Sequence, residues 1–187
     1  MGKSGSGKSV MIKCLVGLME PDSGSIKIMG KDITVLNRMD LDELRTEIGF
    51  LFQGSALYDS MTVRENLEFP LRKHKEMYAN KDALVFETLE SVGLLSAINL
   101  MPDELSGGMK RRVALARALI LKPKIIIYDE PTANLDPKGR ENFYALLEDV
   151  KSDSLMIFIS HRIEEVGHIV SRKVEMDLGK VIVDEKI

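Results

Sequence analysis

Residues 2–9 read Gly2-Lys3-Ser4-Gly5-Ser6-Gly7-Lys8-Ser9 and match the pattern G-x-x-x-x-G-K-[ST] at every fixed position. In this pattern the glycines let backbone N–H groups turn towards phosphate oxygens, and the helix that follows points its positive end at the same anion. Lys8 is expected to reach the β- and γ-phosphates, and the Ser9 hydroxyl to ligate Mg²⁺. The alternative is a flexible Gly/Ser-rich segment without a ligand. A phosphate loop should follow a strand, and no residues for that strand precede Met1.

Strand-like and helical segments alternate along the chain, which predicts α/β layering around a mainly parallel sheet. The helical pattern of residues 62–100 interrupts the alternation, so we interpret it as an inserted subdomain. We therefore predict one domain, with residues 1–60 and 123–187 as the core and about 61–122 as the helical insert. Within the whole domain we expect strands at 25–29, 48–52, 125–127 and 155–160, helices at 10–18, 40–47, 108–121 and 137–151, and a hairpin at 173–184.

Two adjacent acids, Asp129 and Glu130, follow the apolar run 125–127. Neighbouring strand residues point to opposite faces of a sheet. We therefore expect one carboxylate to face Mg²⁺ and the other to face an attacking water. The alternative is a solvated strand end with ordinary surface acids. Gln53 and His161 also follow strand-like segments, and each alone would be an ordinary loop or structural residue.

A second anion site is predicted at Leu105-Ser106-Gly107-Gly108-Met109. Ser106 suits a helix N-cap, and the two glycines after it expose backbone at a helix start. The alternative is a plain cap with a glycine turn. Two phosphate-type sites in one domain would be explained by two copies of the chain facing each other.

Taken together, these motifs resemble the ABC ATPase family over nearly the whole chain. They occur in the family's order: the phosphate loop, Gln53, Leu105-Ser106-Gly107-Gly108, Asp129-Glu130, Asn134-Leu135-Asp136 and His161. The resemblance implies a P-loop NTPase fold, ATP hydrolysis, and ATP and Mg²⁺ as ligands. It also implies a second ATPase subunit and a transmembrane permease as partners, at the cytoplasmic face of the membrane.

The resemblance further implies a role for each motif. Residues 2–9 would hold the phosphates, and Mg²⁺ would be bound by Ser9, Gln53 and Asp129. Glu130 would be the general base, His161 would contact the γ-phosphate, and Gln53 would sense Mg²⁺ and couple to the permease. Closure over ATP held by the opposite subunit would involve Ser106, Gly107 and Gly108, with Asp136 at the dimer interface.

A narrower resemblance concerns residues 49–63, Gly-Phe-Leu-Phe-Gln-Gly-Ser-Ala-Leu-Tyr-Asp-Ser-Met-Thr-Val. This stretch, together with Met109, is similar to the ATPases of mammalian-cell-entry (MCE) lipid transporters, including the type that maintains lipid asymmetry. It implies phospholipid movement across a bacterial envelope and an MCE-domain partner. Residues 56–58 would then contribute to a groove for a permease helix, the alternative being that they only pack the insert.

Two departures from the family pattern qualify this reading. Asn134 stands where the lipid group usually has Gly, and this leans towards lipoprotein-release ATPases. The strands normally upstream of the phosphate loop, and the aromatic residue that stacks on adenine, have no counterpart, so we expect an N-terminally truncated cassette. A miscalled start and a genuine fragment would look the same.

Composition restricts the remaining alternatives. The chain has 187 residues, 44% of them hydrophobic, and a formal net charge of −3, which disfavours nucleic acid as a partner. Cys14 is the only cysteine, so no intrachain disulfide can form. A soluble ABC ATPase of DNA repair or translation is disfavoured because about a hundred residues separate the phosphate loop from Ser106 and the chain has one cassette. A degenerate cassette that only binds a partner stays open, although no catalytic position is substituted.

Overall fold

The centre of the molecule is a parallel sheet of three strands. In the computed structural model, which describes residues 1–3, 5–72, 80–133, 135–150, 154–161, 166–167 and 169–187, these strands are β3 (Ile48–Leu51), β4 (Ile125–Asp129) and β5 (Leu155–Ile159). The order is β3-β4-β5, with Ile48 opposite Ile125 and Ile125 opposite Leu155. The apolar strand β4 is central because it is buried on both faces, as parallel strands usually are. The predicted α/β fold with a parallel core is confirmed.

Helices cover both faces of this sheet. Helix α1 (Lys8–Leu15) packs Ile12 and the following Val16 against Ile127 and Ile159. On the opposite face lies α5 (Gly107–Leu119), in which every residue from Val113 to Ala116 is buried. The small alanine side chains allow α5 to lie close to the sheet, and Ala118 approaches Gly49 of β3.

The predicted helical insert begins with a capped helix. The Thr62 side chain accepts a hydrogen bond from the Glu65 amide, and the Glu65 carboxylate accepts one from the Thr62 amide, which together form a capping box. It starts α3 (Val63–Leu71), which packs with α4 (Lys81–Ser91) and α5 in a core that also contains Leu51 and Tyr128. Because this core is shared with the sheet, the division at residues 61 and 122 stays a prediction.

The remaining elements lie around this centre. They are β1 (Lys27–Ile28) and β2 (Lys31–Asp32), which pair antiparallel, α2 (Arg38–Thr46), α6 (Pro137–Asp149), and the antiparallel hairpin of β6 (Arg172–Asp177) and β7 (Lys180–Lys186). The strand predicted at 25–29 is therefore only two residues long. The hairpin is where it was predicted.

The hairpin adjoins the first residue of the chain. The Met1 ammonium donates to the Val174 carbonyl, and the Met1 carbonyl accepts from the Met176 amide at 2.8 Å. This pair of bonds is the pattern of a parallel bridge between Met1 and Glu175. A cavity of about 720 Å³, lined mainly by apolar side chains of α1, β5 and β6, lies beside it. No helix within the described ranges is both long and apolar enough to span a bilayer.

Candidate phosphate-binding and catalytic site

The phosphate loop, residues 2–9, needs glycine for two separate reasons. Gly2, Gly5 and Gly7 have φ of 138°, 80° and 96°, values that side chains rarely tolerate. At Gly2 a Cβ would also lie 2.1 Å from the Met176 carbonyl oxygen, so the loop can approach β6 only without a side chain. Gly7 is the N-cap of α1, and the loop leads directly into that helix. Ser4 lies outside the described residues.

The loop encloses the Lys8 ammonium group. Its Nζ donates to the carbonyls of Gly2 at 2.6 Å and Lys3 at 2.8 Å, and it lies 3.4 Å from the Ser6 hydroxyl. Within the part of the chain that the structure describes, the amide N–H groups of Gly7, Lys8 and Ser9 have no acceptor. Such donors at a helix N-terminus fit the oxygens of a phosphate group.

The turn of the β6–β7 hairpin supports the loop from the side. The Gly179 amide donates to the Ser6 carbonyl at 3.0 Å, and a Cβ at Gly7 would lie 3.4 Å from the Gly179 Cα. Sequence reasoning predicted the hairpin but not this contact. The turn signal at Gly179 indicates a reversal of the chain, and it carries no information on what packs against it.

Asp129 is the last residue of the central strand β4, and lysines of α1 affect the pKa of its carboxyl. Burial, followed by the charge of Glu130, raises the pKa of its carboxyl, while Lys8 and Lys13 act in the opposite direction. Both lysines belong to α1, so Asp129 lies within electrostatic range of that helix. One carboxylate with hydroxyl, amide and phosphate oxygens is a donor set that suits Mg²⁺. Ser9 and Gln53 are exposed and could complete it. No cluster of three or more His, Cys, Asp or Glu occurs in the described ranges.

Glu130 and His161 come together at the same edge of the sheet. The His161 ring nitrogen Nδ1 lies 3.1 Å from each carboxylate oxygen of Glu130, and the Glu130 amide donates to the Ile159 carbonyl. The two residues follow adjacent parallel strands, so their proximity results from the topology. The alternation argument for Asp129 and Glu130 is wrong in its premise, because Glu130 has left the strand and has φ of 46°.

The residues of the second predicted group lie at the starts of two helices. The Ser106 side chain accepts from the Met109 amide and caps α5, and Asp136 likewise caps α6 through the Gly139 amide. Around Gly107 and Gly108 an added Cβ would meet open space. Among the described residues no hydrogen bond or ion pair links these groups to residues 2–9. Asn134 lies outside the described ranges.

Two arginines of α5 hold loops of the site, which sequence reasoning missed. Arg111 is buried, and both its terminal nitrogens donate to the Ala133 carbonyl at 2.9 Å. Arg117 donates to the carbonyls of Ala56 at 2.8 Å and Ser55 at 3.3 Å. A basic residue on a helix gives no sequence signal of which distant carbonyl it will bind.

Comparison with known proteins decides the family. The family model described as ABC transporter matches residues 1–133. The chain belongs to the ABC transporter ATP-binding family. The chain also superposes on the dimeric post-hydrolysis state of the ATP-binding cassette MJ0796 bound to ADP and Pi. That match has a TM-score of 0.86 and 33% identity, and it covers all of this chain and 83% of the other.

Curated relatives in the ABC family are named for several transport systems. The methionine import ATP-binding protein MetN of Rhizobium etli is 39% identical over all of this chain and 52% of its own length. The phosphonates import protein PhnC 1 of a Ruegeria species is 38% identical, with 100% and 76% coverage. The probable ribonucleotide transport protein mkl of Mycobacterium leprae is 40% identical, with 96% and 51% coverage. The chain thus spans about half the length of two of these three relatives.

Proposed function

We propose that the chain is the ATP-binding and ATP-hydrolysing subunit of an ABC transporter. The observation that carries the proposal is the contact between Glu130 and His161 at the strand edge that also bears Asp129. A carboxylate held beside an imidazole, next to a phosphate loop, is an arrangement suited to activating water for attack on a phosphoryl group.

Binding begins with the phosphate loop in this proposal. The amide N–H groups of Gly7, Lys8 and Ser9 donate to the phosphate oxygens, and the Lys8 ammonium exchanges its carbonyl partners for the β- and γ-phosphates. Ser9, Asp129 and Gln53 would hold Mg²⁺. When bound, Mg²⁺ neutralises developing charge on the phosphates. Burial raises the pKa of Asp129 and so disfavours its charged carboxylate. A bound cation would offset this cost by pairing with that charge.

Hydrolysis then depends on Glu130. Its carboxylate orients and deprotonates the attacking water, and His161 holds that carboxylate and contacts the γ-phosphate. Only about a fifth of the Glu130 side chain is exposed (19%), so its position is more restricted than that of a surface acid, whereas His161 at 57% can turn towards a ligand. A positioned general base typically contributes about 10²–10⁴-fold to the rate.

A second copy of the chain completes each site in this proposal. Ser106, Gly107 and Gly108 are exposed at the start of α5, and a Cβ added at either glycine would meet nothing within 4 Å, so the amides of this group can bind a γ-phosphate held by a partner. Asp136, at the exposed start of α6, would lie at the same interface. We retain the predicted division into a core, residues 1–60 and 123–187, and a helical insert, about 61–122.

The test combines size and turnover. Glu130→Gln should leave ATP binding intact, reduce turnover by about 10²–10⁴-fold, and shift from monomer to dimer in size-exclusion chromatography when Mg²⁺–ATP is added. The double variant with Lys8→Ala should stay monomeric. Glu141→Gln makes the same chemical change at an exposed acid on α6 and should leave turnover unchanged. Unchanged turnover in Glu130→Gln would contradict the assignment of the base, and absence of ATP binding by the parent chain would contradict the function.

For the transported substrate we propose phospholipid, moved through a permease with an MCE-domain partner at the cytoplasmic face of the inner membrane. The proposal rests on the likeness of residues 49–63 and on Met109. Tyr58, five residues after Gln53 in the chain, packs at a tilt against Phe69 with ring centroids 4.5 Å apart, and this partly exposed aromatic pair is a surface that a permease helix could contact. The relatives described above are named for methionine, phosphonate and ribonucleotide systems.

The substrate is tested on the membrane complex isolated through a tag on this chain and reconstituted in vesicles. Phospholipid should stimulate ATP turnover and a fluorescent phospholipid should change leaflet only with ATP. Stimulation by methionine, a phosphonate or a ribonucleotide, with no effect of lipid, would overturn the lipid proposal and leave the ATPase proposal standing.

A further inference from the structure

The Gln53 loop, residues 52–58, contains two consecutive residues in an unfavourable backbone conformation. Ser55 has φ of 62° and Ala56 has φ of 45°. Left-handed backbone is disfavoured for residues with a Cβ and normally persists only where the surrounding structure imposes it. An exposed Ala side chain cannot impose it, so the cause must lie in groups that contact the backbone of the loop.

Arg117 provides those contacts from α5. Its guanidinium donates one hydrogen bond to each of the two carbonyls that belong to the left-handed residues, at 2.8 Å to Ala56 and 3.3 Å to Ser55. It also lies over the Tyr58 ring, 5.5 Å from the centroid. Burial lowers the pKa of the guanidinium, and no carboxylate in the described ranges forms an ion pair with it. The carbonyls and the ring are therefore its stabilising partners.

Each end of the loop also has a backbone anchor other than Arg117. At the start, β3 is held in the sheet by its ladder with β4. At the end, the fully buried Asn66 side chain accepts from the Tyr58 amide at 2.8 Å and donates to the Tyr58 carbonyl at 3.1 Å. Residues 55 and 56 lie between these anchors. Exposed Gln53 lies on the same short segment, so its position follows from the conformation that Arg117 holds.

We propose that Arg117 is a positioning residue that holds the Gln53 loop in its left-handed turn and thereby presents Gln53 to the site formed with Asp129. This rests on the proposed ATPase function. Because α5 starts at the exposed Ser106-Gly107-Gly108 group, the same side chain also links the Gln53 loop to the helix that would meet the second copy. Movement of that helix would be transmitted directly to Gln53.

The first test compares Arg117→Met, which keeps an apolar stem of similar length, with Arg117→Lys, which keeps the charge but not the two-pronged donor. Misplacing a reacting group by about 1 Å can cost roughly 10²-fold, so Arg117→Met should lower kcat by about ten- to hundredfold. The KM for ATP should change by less than about twofold because the phosphate loop is untouched. Arg117→Lys should lie between. The control is Arg112→Met, on the same helix, whose guanidinium bonds the Val92 carbonyl, and it should retain the parent kcat.

A second substitution separates positioning from general stability. Glycine adopts φ near 45° without strain, so adding Ala56→Gly to Arg117→Met should recover at least about a third of the lost kcat. A kcat for Arg117→Met equal to that of Arg112→Met, or no recovery with Ala56→Gly, would overturn the proposal.

Hydrogen exchange of the amides of residues 52–58 gives a readout that does not need turnover. Exchange in this loop should accelerate in Arg117→Met and stay unchanged in Arg112→Met. If the parent chain lacked ATPase activity, the proposed function would fail, but hydrogen exchange would still test whether Arg117 holds the loop. Unaltered exchange in Arg117→Met would overturn the proposal that Arg117 holds the loop.

Discussion

Replacement of Gly49 by alanine should separate β3 from α5 and destabilise the fold. A Cβ built at Gly49 lies 2.5 Å from the Ala118 carbonyl oxygen and 3.0 Å from the Pro123 ring, whereas ordinary contacts begin near 3.4 Å. The backbones must therefore separate by about 0.9 Å. Relief is difficult, because β3 is hydrogen-bonded to β4 and the residues of α5 from Val113 to Ala116 are buried on the other side.

The expected magnitude follows from this geometry. Forcing an extra group into a packed interior typically costs about 1–3 kcal/mol. For a chain of 150–250 residues each kcal/mol lowers Tm by about 2–4 °C, so Gly49→Ala should melt roughly 2–12 °C below the parent. Thermal unfolding followed by circular dichroism measures this, and urea unfolding should show a lower midpoint with an unchanged slope.

Gly54→Ala is the matched control in the same segment. A Cβ there would meet nothing within 4 Å, and its φ lies outside the left-handed region. Gly→Ala at such a position usually stabilises slightly, because the unfolded chain loses freedom. Its Tm should therefore equal or exceed that of the parent. A Tm of Gly49→Ala within about 1 °C of the parent would show that β3 and α5 are less closely packed than described.

Three further predictions concern the core, the metal position and a helix cap. Leu67→Ala, at a fully buried side chain of α3, should cost about 2–5 kcal/mol in urea unfolding, whereas a cost under about 1 kcal/mol would contradict the packing. Burial raises the pKa of Asp129, so its ionised form destabilises the fold. Asp129→Asn should therefore raise the Tm of the nucleotide-free protein at pH 7, and this gain should fade as pH falls through the pKa of Asp129. A lower Tm of the variant at pH 7 would refute this. The pKa of Glu65 is lowered first by the Thr62 backbone amide, which Thr62→Ala keeps, and then by the Thr62 hydroxyl, which it removes. The hydroxyl's contribution is lost as pH falls through that pKa, so Thr62→Ala should lower Tm at pH 7 by more than at pH 3. An equal loss at both pH values would argue against the bond between the hydroxyl and the Glu65 carboxylate.

The residues that meet at the carboxyl edge of the sheet could be predicted from sequence, because the parallel topology determines which residues lie there. Once the apolar runs at 48–52, 125–127 and 155–160 are recognised as parallel strands, the residues that follow them must emerge at one edge. Gln53, Asp129 and His161 satisfy this rule, and the short Glu130–His161 distance is its consequence. The phosphate loop was equally predictable, since its glycines and lysine have fixed spacing.

The supports of the site could not be predicted in the same way. Arg111 and Arg117 bind backbone carbonyls 22 and 61 residues away, and carbonyls are present at every position of a chain. The contact of Gly179 with Ser6 joins segments 173 residues apart. Its partners are again backbone groups. Side-chain type identifies residues that do chemistry, whereas backbone partners are decided only by the packed fold.

The residues predicted to bind or hydrolyse ATP fall into two groups with different positions in the fold, and this has a consequence for the mechanism. Lys8, Asp129, Glu130 and His161 are gathered within one chain by the parallel sheet. Ser106, by contrast, lies exposed at the start of α5. If the site closes across two copies, closure must move α5 relative to the partner's phosphate loop, and α5 carries Arg117 and through it the Gln53 loop. Dimer closure and the position of Gln53 should then be coupled, so substitutions at Arg117 should reduce ATP-dependent dimerisation of Glu130→Gln as well as turnover.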